Sequence, residues 1–329
     1  VTLPQDDGFQ VDFPTQWWYW TGHLTTADGR RFGFEVCFFA FHADVLLGQL
    51  LHTHLTREGW LDRLTKHLGF QMVHTALSDI AGREYQHTCA FAIGEPAALD
   101  GAFQLTSHKP TPGAITAAGG NGRDLLHVAL DGWGLDLDVT NDNTAHPPVL
   151  QYGGQAHVYP FGGFTYYYSR PRMSASGTIR VNGETLPVTG TVWFDRQYGE
   201  LNQVVESGWQ WFAIELEDRE IVIFDITGQP SQLYCAVSRG ADVTMLPADQ
   251  VGIEVLDHWT SPVTHIPYPS KWRLTLGGET LMVVPLLAAQ ELTEPFPWPP
   301  YWEGDSLVTM PDGRAIGQAY VELSGFKRA

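Results

Sequence analysis

Among the side chains able to do chemistry, one carboxylate stands out. Asp225 lies near the end of the apolar run Ile221-Val-Ile-Phe-Asp-Ile226. Strand alternation puts it on the face of Ile221 and Ile223, with Val222, Phe224 and Ile226 on the other. Neither face suits water. Desolvation penalises the charged form of a carboxyl, so Asp225 is expected to keep its proton toward neutral pH and act as a proton donor. A buried aspartate tied to a backbone N–H or an arginine fits the same residue types. Trp193, Tyr198, Trp209 and Trp211 are candidates for an aromatic wall, because π-faces stabilise a developing carbocation. Core packing is the commoner role for any one of them. Arg196, if it faces Asp225, would lower the pKa of that acid, favouring binding or the polarising of a substrate carbonyl. By alternation Asp195 and Gln197 face away from Arg196 and Tyr198, so this segment can serve both a pocket and a structural network. His52 and His54 would share one strand face, as two metal ligands do, but no third ligand is evident and no metal is expected.

The elements that must position these groups read as strands. Trp209-Gln-Trp-Phe-Ala-Ile-Glu-Leu216 and Ile221–Ile226 flank Glu217-Asp218-Arg219-Glu220, a hairpin with a two- to four-residue connection. A loop at Asp218-Arg219 pairs Asp225 with Phe212, and a one-residue slip pairs it with Trp211. A second hairpin joins the strand opened by Gln16-Trp-Trp-Tyr-Trp-Thr-Gly-His23 to Phe32–Phe41 through Ala27-Asp-Gly-Arg30. A strand over Leu50–Leu55, a helix over Leu61–Leu68 and a loop over Thr111–Gly122 follow. Pro171 ends the strand begun at Phe164, which places a domain boundary near Arg172 and gives units of 1–172 and 173–329. The proline-aromatic stretch Glu294–Trp302 is expected to wrap the surface or close a cavity mouth. The fold class is all-β: many antiparallel strands in two halves, forming two barrels or barrel-like sandwiches, each able to hold a lipophilic ligand.

Composition sets outer limits. The chain has 329 residues, 43% hydrophobic, with 34 Gly and 21 Pro, which favours strands and turns around a large core. A net charge of -18, from 19 Lys+Arg against 37 Asp+Glu, makes nucleic acid and anionic membrane surfaces poor partners. No apolar run approaches the length of a transmembrane span, and peripheral membrane contact stays open. Cys37, Cys89 and Cys235 are too few and too scattered for a disulfide framework. The first residues are neither a signal peptide nor a targeting helix, and the compartment is left open. The 12 tryptophans suit a cavity for a large apolar ligand. No Gly-x-Ser-x-Gly motif occurs, which argues against a serine hydrolase.

Several ordered motifs resemble the carotenoid 1,2-hydratase (hydroxyneurosporene synthase) and AttH-like family. They are Gln16-Trp-Trp-Tyr-Trp-Thr-Gly-His-Leu24, Tyr167-Tyr-Ser-Arg-Pro-Arg-Met173 and Gly190-Thr-Val-Trp-Phe-Asp-Arg-Gln-Tyr-Gly199, followed by Gly208-Trp-Gln-Trp-Phe212, Tyr301-Trp-Glu-Gly304 and Ala319-Tyr-Val-Glu-Leu-Ser-Gly-Phe326. The resemblance implies two lipocalin-like (calycin) domains and a hydrophobic small-molecule ligand, an isoprenoid, polyene or other lipid, handled without a cofactor. It makes Asp225 the position of the hydratases' proton donor. Arg196 and Tyr198 stand where that family has His and Trp, Ile223 where it has Tyr, and Gln16 where it has Glu. Asp225, Arg196 and Tyr198 are thus the expected catalytic residues, and Trp193, Trp209, Trp211, Phe212, Ile223, Trp18 and Trp20 the expected substrate contacts. The expected activity is acid-initiated hydration or cyclisation. A non-catalytic lipid carrier and a pericyclase that folds a polyene by pocket shape, of Diels-Alderase type, are the alternatives.

Overall fold

The computed structural model describes residues 1–42, 69–108, 110–227, 230–295 and 298–328. The expected strand Leu50–Leu55, with His52 and His54, and the expected helix Leu61–Leu68 lie outside the described residues. Within them the chain is nearly all strand, in two antiparallel sheets that curl into tandem barrel-like units.

The first sheet takes β1 (Thr15–Thr25), β2 (Arg31–His42), β3 (Gly69–Asp79), β4 (Glu84–Ile93), β5 (Phe103–Thr106), β6 (Ile115–Gly120), β7 (Arg123–Ala129), β8 (Trp133–Thr140), β9 (Val149–Leu150), β10 (His157–Val158), β11 (Phe164–Val181) and β12 (Glu184–Glu200). Its order is β4-β3-β2-β1-β12-β11-β8-β7-β6-β5, with β9 and β10 on β11. A short helix, α1 (Asn202–Ser207), leads into the second sheet. That sheet takes β13 (Trp209–Leu216), β14 (Glu220–Ile226), β15 (Gln232–Arg239), β16 (Asp242–Met245), β17 (Val251–Thr260), β18 (Pro267–Leu276), β19 (Glu279–Pro285), β20 (Glu291–Leu292), β21 (Tyr301–Thr309) and β22 (Ala315–Ser324). Its order is β16-β15-β14-β13-β22-β21-β19-β18-β17, with β20 on β21.

Two expectations are corrected. The stretch Thr111–Gly122 is not all loop, because Ile115 and Ala117 point into the first barrel and hold β6 in the sheet. The boundary near Arg172 falls inside β11, and the chain changes sheet only after Glu200. Pro171 marks a bulge: the β11–β12 register shifts between Arg170 and Met173, and Arg172 takes a left-handed φ of 55°. A bulge absorbs a residue without a ladder N–H and lets the strand continue.

Alternation divides each central strand between two destinations. Trp18 and Trp20 point into the first barrel with Phe34, Phe194 and Tyr168. Phe212, Ile214, Ile223, Trp272 and Trp302 fill the second. The opposite faces of the same strands carry Trp17, Tyr19, Trp193, Trp209, Trp211 and Phe224, which pack together between the sheets. This third core exists only because the two units dock. A part-buried ion pair pins them: Arg31 on β2 donates to both oxygens of Asp305 on β21, at 2.9 and 2.7 Å, and His23 lies 2.9 Å from Oδ1. Gly33 makes room for it, since a Cβ there would meet the Asp305 Cβ at 2.7 Å.

Candidate active site

Two rows of side chains face each other across the junction. On the first sheet Tyr19 lies opposite Cys37 on β2 and Asp195 on β12, and the row extends to His74 on β3 and Ser169 on β11. On the second sheet Glu303 lies opposite Glu322, which lies opposite Trp211, and Phe224 comes next. Between the rows is a cavity of about 40 Å³, open at its mouth, with four carboxyl groups on its lining: Glu35, Asp195, Glu303 and Glu322. Trp17, Phe39, Val205, Trp209, Trp211 and Trp298 supply the apolar walls. Glu35, Asp195 and Glu303 are buried, whereas Glu322, Phe39 and Val205 are partly exposed. Trp298 comes from the proline-aromatic stretch and packs on Phe39 and Phe41 at 5.7 and 5.3 Å between ring centroids.

Each carboxyl is tied from one side. Asp195 accepts from Tyr167 at 2.5 Å, Ser169 at 2.6 Å and the Trp193 indole at 2.7 Å. These donors hold its charge against burial, which still pushes it up to about 7. The other acids are held across the junction in reciprocal fashion. Tyr301 of the second sheet donates to Glu35 Oε1 of the first at 3.0 Å, and Tyr19 of the first donates to Glu303 Oε1 of the second. His74 Nδ1 lies 2.8 Å from the Tyr301 hydroxyl, and burial depresses this imidazole to about 3, so it is neutral.

Burial first, then the charge of Glu322, pushes Glu35 up to about 8. Burial also pushes Glu322 up to about 8, against hydrogen bonding from Trp209. Glu303 is driven well above the carboxylate range by burial and by both neighbouring glutamates. Like charges directly opposite on adjacent strands repel, so Glu303 and Glu322 cannot both ionise cheaply. The site therefore stores neutral carboxylic acids in a dry, indole-lined space. Such a group can protonate a weak base, and the indole faces can stabilise the cation that results. Among the described residues no cluster of three or more His, Cys, Asp or Glu could hold a metal ion.

The expected site residues divide between three places. Trp209 and Trp211 line the cavity. Trp193 stands behind it, its ring 6.2 Å from Trp211 and its indole on Asp195. Phe212 and Ile223 belong to the second barrel's interior, and Trp18 and Trp20 to the first's. Asp225 is not on the cavity. It is half-buried on the Ile223 face and accepts from Gln210 at 3.3 Å, with burial raising its pKa. Its cross-strand partner is that Gln210, rather than Phe212 or Trp211, because the hairpin turns at Glu217-Asp218.

Arg196 faces neither Asp225 nor the cavity. It lies opposite Trp18 and shares its face, with the guanidinium 3.9 Å from the indole centroid. There it donates to Gly8 O and Gln16 Oε1, both at 2.8 Å. Tyr198 stacks on Tyr166 at 5.1 Å on that same side. The alternation within Asp195-Arg-Gln-Tyr198 holds, but Asp195 and Gln197 take the cavity face. Glu35, Glu303 and Glu322 were missed, although the sequence carried their signal. Each is a carboxylate among apolar neighbours on a strand, the same criterion that singled out Asp225, although Glu303 shares its strand with Asp305.

Residues 1–326 match the family model described as AttH-like. The chain belongs to the AttH-like family. A search of curated protein sequences finds no match. Among solved structures, the NE1406 protein of Nitrosomonas europaea, described as an AttH, is 27% identical, with 99% of this chain and 97% of that one covered and a TM-score of 0.77. Kievitone hydratase from Nectria haematococca is 14% identical over 98% of this chain and 92% of its own, with a TM-score of 0.68. CghA, solved with Sch210972, is 10% identical over 95% and 89%, with a TM-score of 0.58. The last two likenesses concern the fold. Among the described residues of this AttH-like chain, no helix is long and apolar enough to cross a membrane.

Proposed function

We propose that this AttH-like protein is a cofactor-independent enzyme that protonates a hydrophobic, unsaturated substrate, an isoprenoid or polyene, and so starts its hydration or cyclisation. The observation that carries the reading is the group of three glutamates with raised pKa values, Glu35, Glu303 and Glu322, on an aromatic cavity. The fold shared with kievitone hydratase, a hydratase by name, supports it. The acid is then a glutamate of this group rather than Asp225.

Glu303 is assigned as the donor, since no charged or indole donor offsets its burial and only Tyr19 supports it. Its proton passes to one alkene carbon, the π pair becomes the new C–H bond, and the adjacent carbon is left cationic beside Trp209 and Trp211. Water or a second double bond of the substrate supplies the electron pair that closes the cation. In hydration the added water then loses a proton to the Glu303 carboxylate. In cyclisation the attack moves the cation to the second double bond, and a carbon beside it loses the proton, forming a new double bond, so the acid is regenerated either way. Asp195, titrating near neutrality, is placed to orient the water.

The test compares lipophiles extracted from wild type and from Glu303→Gln, both purified from the native host, by native mass spectrometry. A compound that accumulates only in the variant, with its hydrated or cyclised counterpart in wild type, supports the assignment. The same unaltered lipid in both defeats it and makes the protein a carrier.

A further inference from the structure

The two cross-junction tyrosines do more than hold the glutamates. A phenol O–H donating to Oε1 marks that oxygen as the carbonyl side of a neutral carboxyl, so the acidic proton resides on Oε2. In both Glu35 and Glu303, Oε2 is buried and has no hydrogen-bond partner among the described residues. Both residues line the cavity. Each thus carries a buried O–H, on a residue of the cavity wall, for which the described residues offer no acceptor, and leaving such a donor unpaired costs on the order of 1–3 kcal/mol. A pure hydrocarbon leaves both unpaired. An anion would bring a further negative charge beside Glu322 and Asp195, which line the same cavity.

We propose that the cavity takes a neutral hydrophobic ligand bearing a carbonyl oxygen, which accepts from Glu35 Oε2–H and Glu303 Oε2–H while the apolar body lies along Trp17, Phe39 and Trp298. This deepens the reading of the same site given above, and it concerns recognition rather than turnover.

The probes are trans,trans-farnesal, the hydrocarbon β-farnesene and the anion farnesoate, titrated at pH 7 into the intact protein with cavity tryptophan fluorescence as the readout. Farnesal is expected to bind at least about tenfold more tightly than either of the others. Its carbon-13-labelled carbonyl stretch moves to lower frequency on binding. In Glu35→Gln/Glu303→Gln the preference persists, because Tyr301 and Tyr19 orient each amide with its oxygen toward the phenol and its NH2 toward the cavity. In Glu35→Leu/Glu303→Leu it drops below about twofold. Equal affinity for farnesal and farnesene, tighter binding of farnesoate, an unshifted carbonyl stretch or a preference that survives in the leucine variant overturns the inference. If the leucine variant does not fold, wild-type selectivity and the carbonyl stretch decide. Binding is measured without conversion, so the inference can fail while the enzyme reading stands, and the reverse.

Discussion

Replacing Glu322 by Gln should make the protein more stable at mildly alkaline pH. Glu322 is half-buried, lies opposite Glu303 on β21, and is also faced by Glu35 and Asp195 of the first sheet and by the Trp209 indole. Its pKa rises from 4.5 to about 8 on folding. Below 4.5 both folded and unfolded chains hold the proton, and the full contribution of the neutral acid is present. As pH rises toward 8 the unfolded chain releases its proton while the fold must keep it, so stability falls by about 1.4 kcal/mol per pH unit. Between pH 5 and pH 8 this one group removes about 3–4 kcal/mol. Gln has the same shape, still accepts from Trp209 and has no proton to lose. Wild type and variant should therefore be close near pH 5. By pH 8 the urea midpoint of the variant should stand about 1 M above wild type, taking an m-value of about 3–4 kcal/mol/M for a chain of this size. Urea unfolding followed by tryptophan emission across that range reads the effect. Parallel midpoint curves for the two proteins would falsify the claim that Glu322 is a neutral acid in the fold, and with it the electrostatic basis of the proposed site.

Three further outcomes follow from the same geometry. Turnover of the native substrate should be kept through neutral pH and lost only at alkaline pH, because Glu303 must be protonated and burial, with Glu35 and Glu322 beside it, holds its pKa well above the carboxylate range; a rate that climbs through pH 9 points to a general base instead. Glu303→Gln should lower kcat by about 100-fold or more, the usual worth of a positioned acid. Asp225→Asn should stay within about threefold of wild type, and the reverse order of sensitivity would return the acid to β14. Arg170→Met should destabilise the protein by about 3–5 kcal/mol in chemical denaturation, because buried Asp7, held by Arg170 at 2.7 and 2.8 Å, is left without its cation. An unchanged midpoint would show that the N-terminal segment does not depend on that pair.

Residue types and order were enough to place this chain among all-β proteins with tandem barrel-like units. Period-two patterning survives whatever the strand packs against, and the hairpins around Ala27-Asp-Gly-Arg30 and Glu217-Asp218 are local. The motifs from Gln16 to Phe326 pointed to the family for the same reason. The alternation in Asp195-Arg-Gln-Tyr198 was equally legible, but not which face would meet the ligand. Trp17 and Trp18 have the same chemistry in sequence, and so have the two faces of β14. One face of each fills a barrel, and the other meets a second sheet whose approach no local pattern encodes. Glu35 lies 268 positions before Glu303 and Glu322 another 19 beyond it, so their mutual effect on pKa has no short-range signature. Sequence could show that each strand carried a costly carboxylate among apolar residues. Only the docking of the two sheets decided that Glu35, Glu303 and Glu322 share a dry cavity while Asp225 is left outside it. Desolvation and charge repulsion depend on distance through space, and the tertiary fold alone sets that distance.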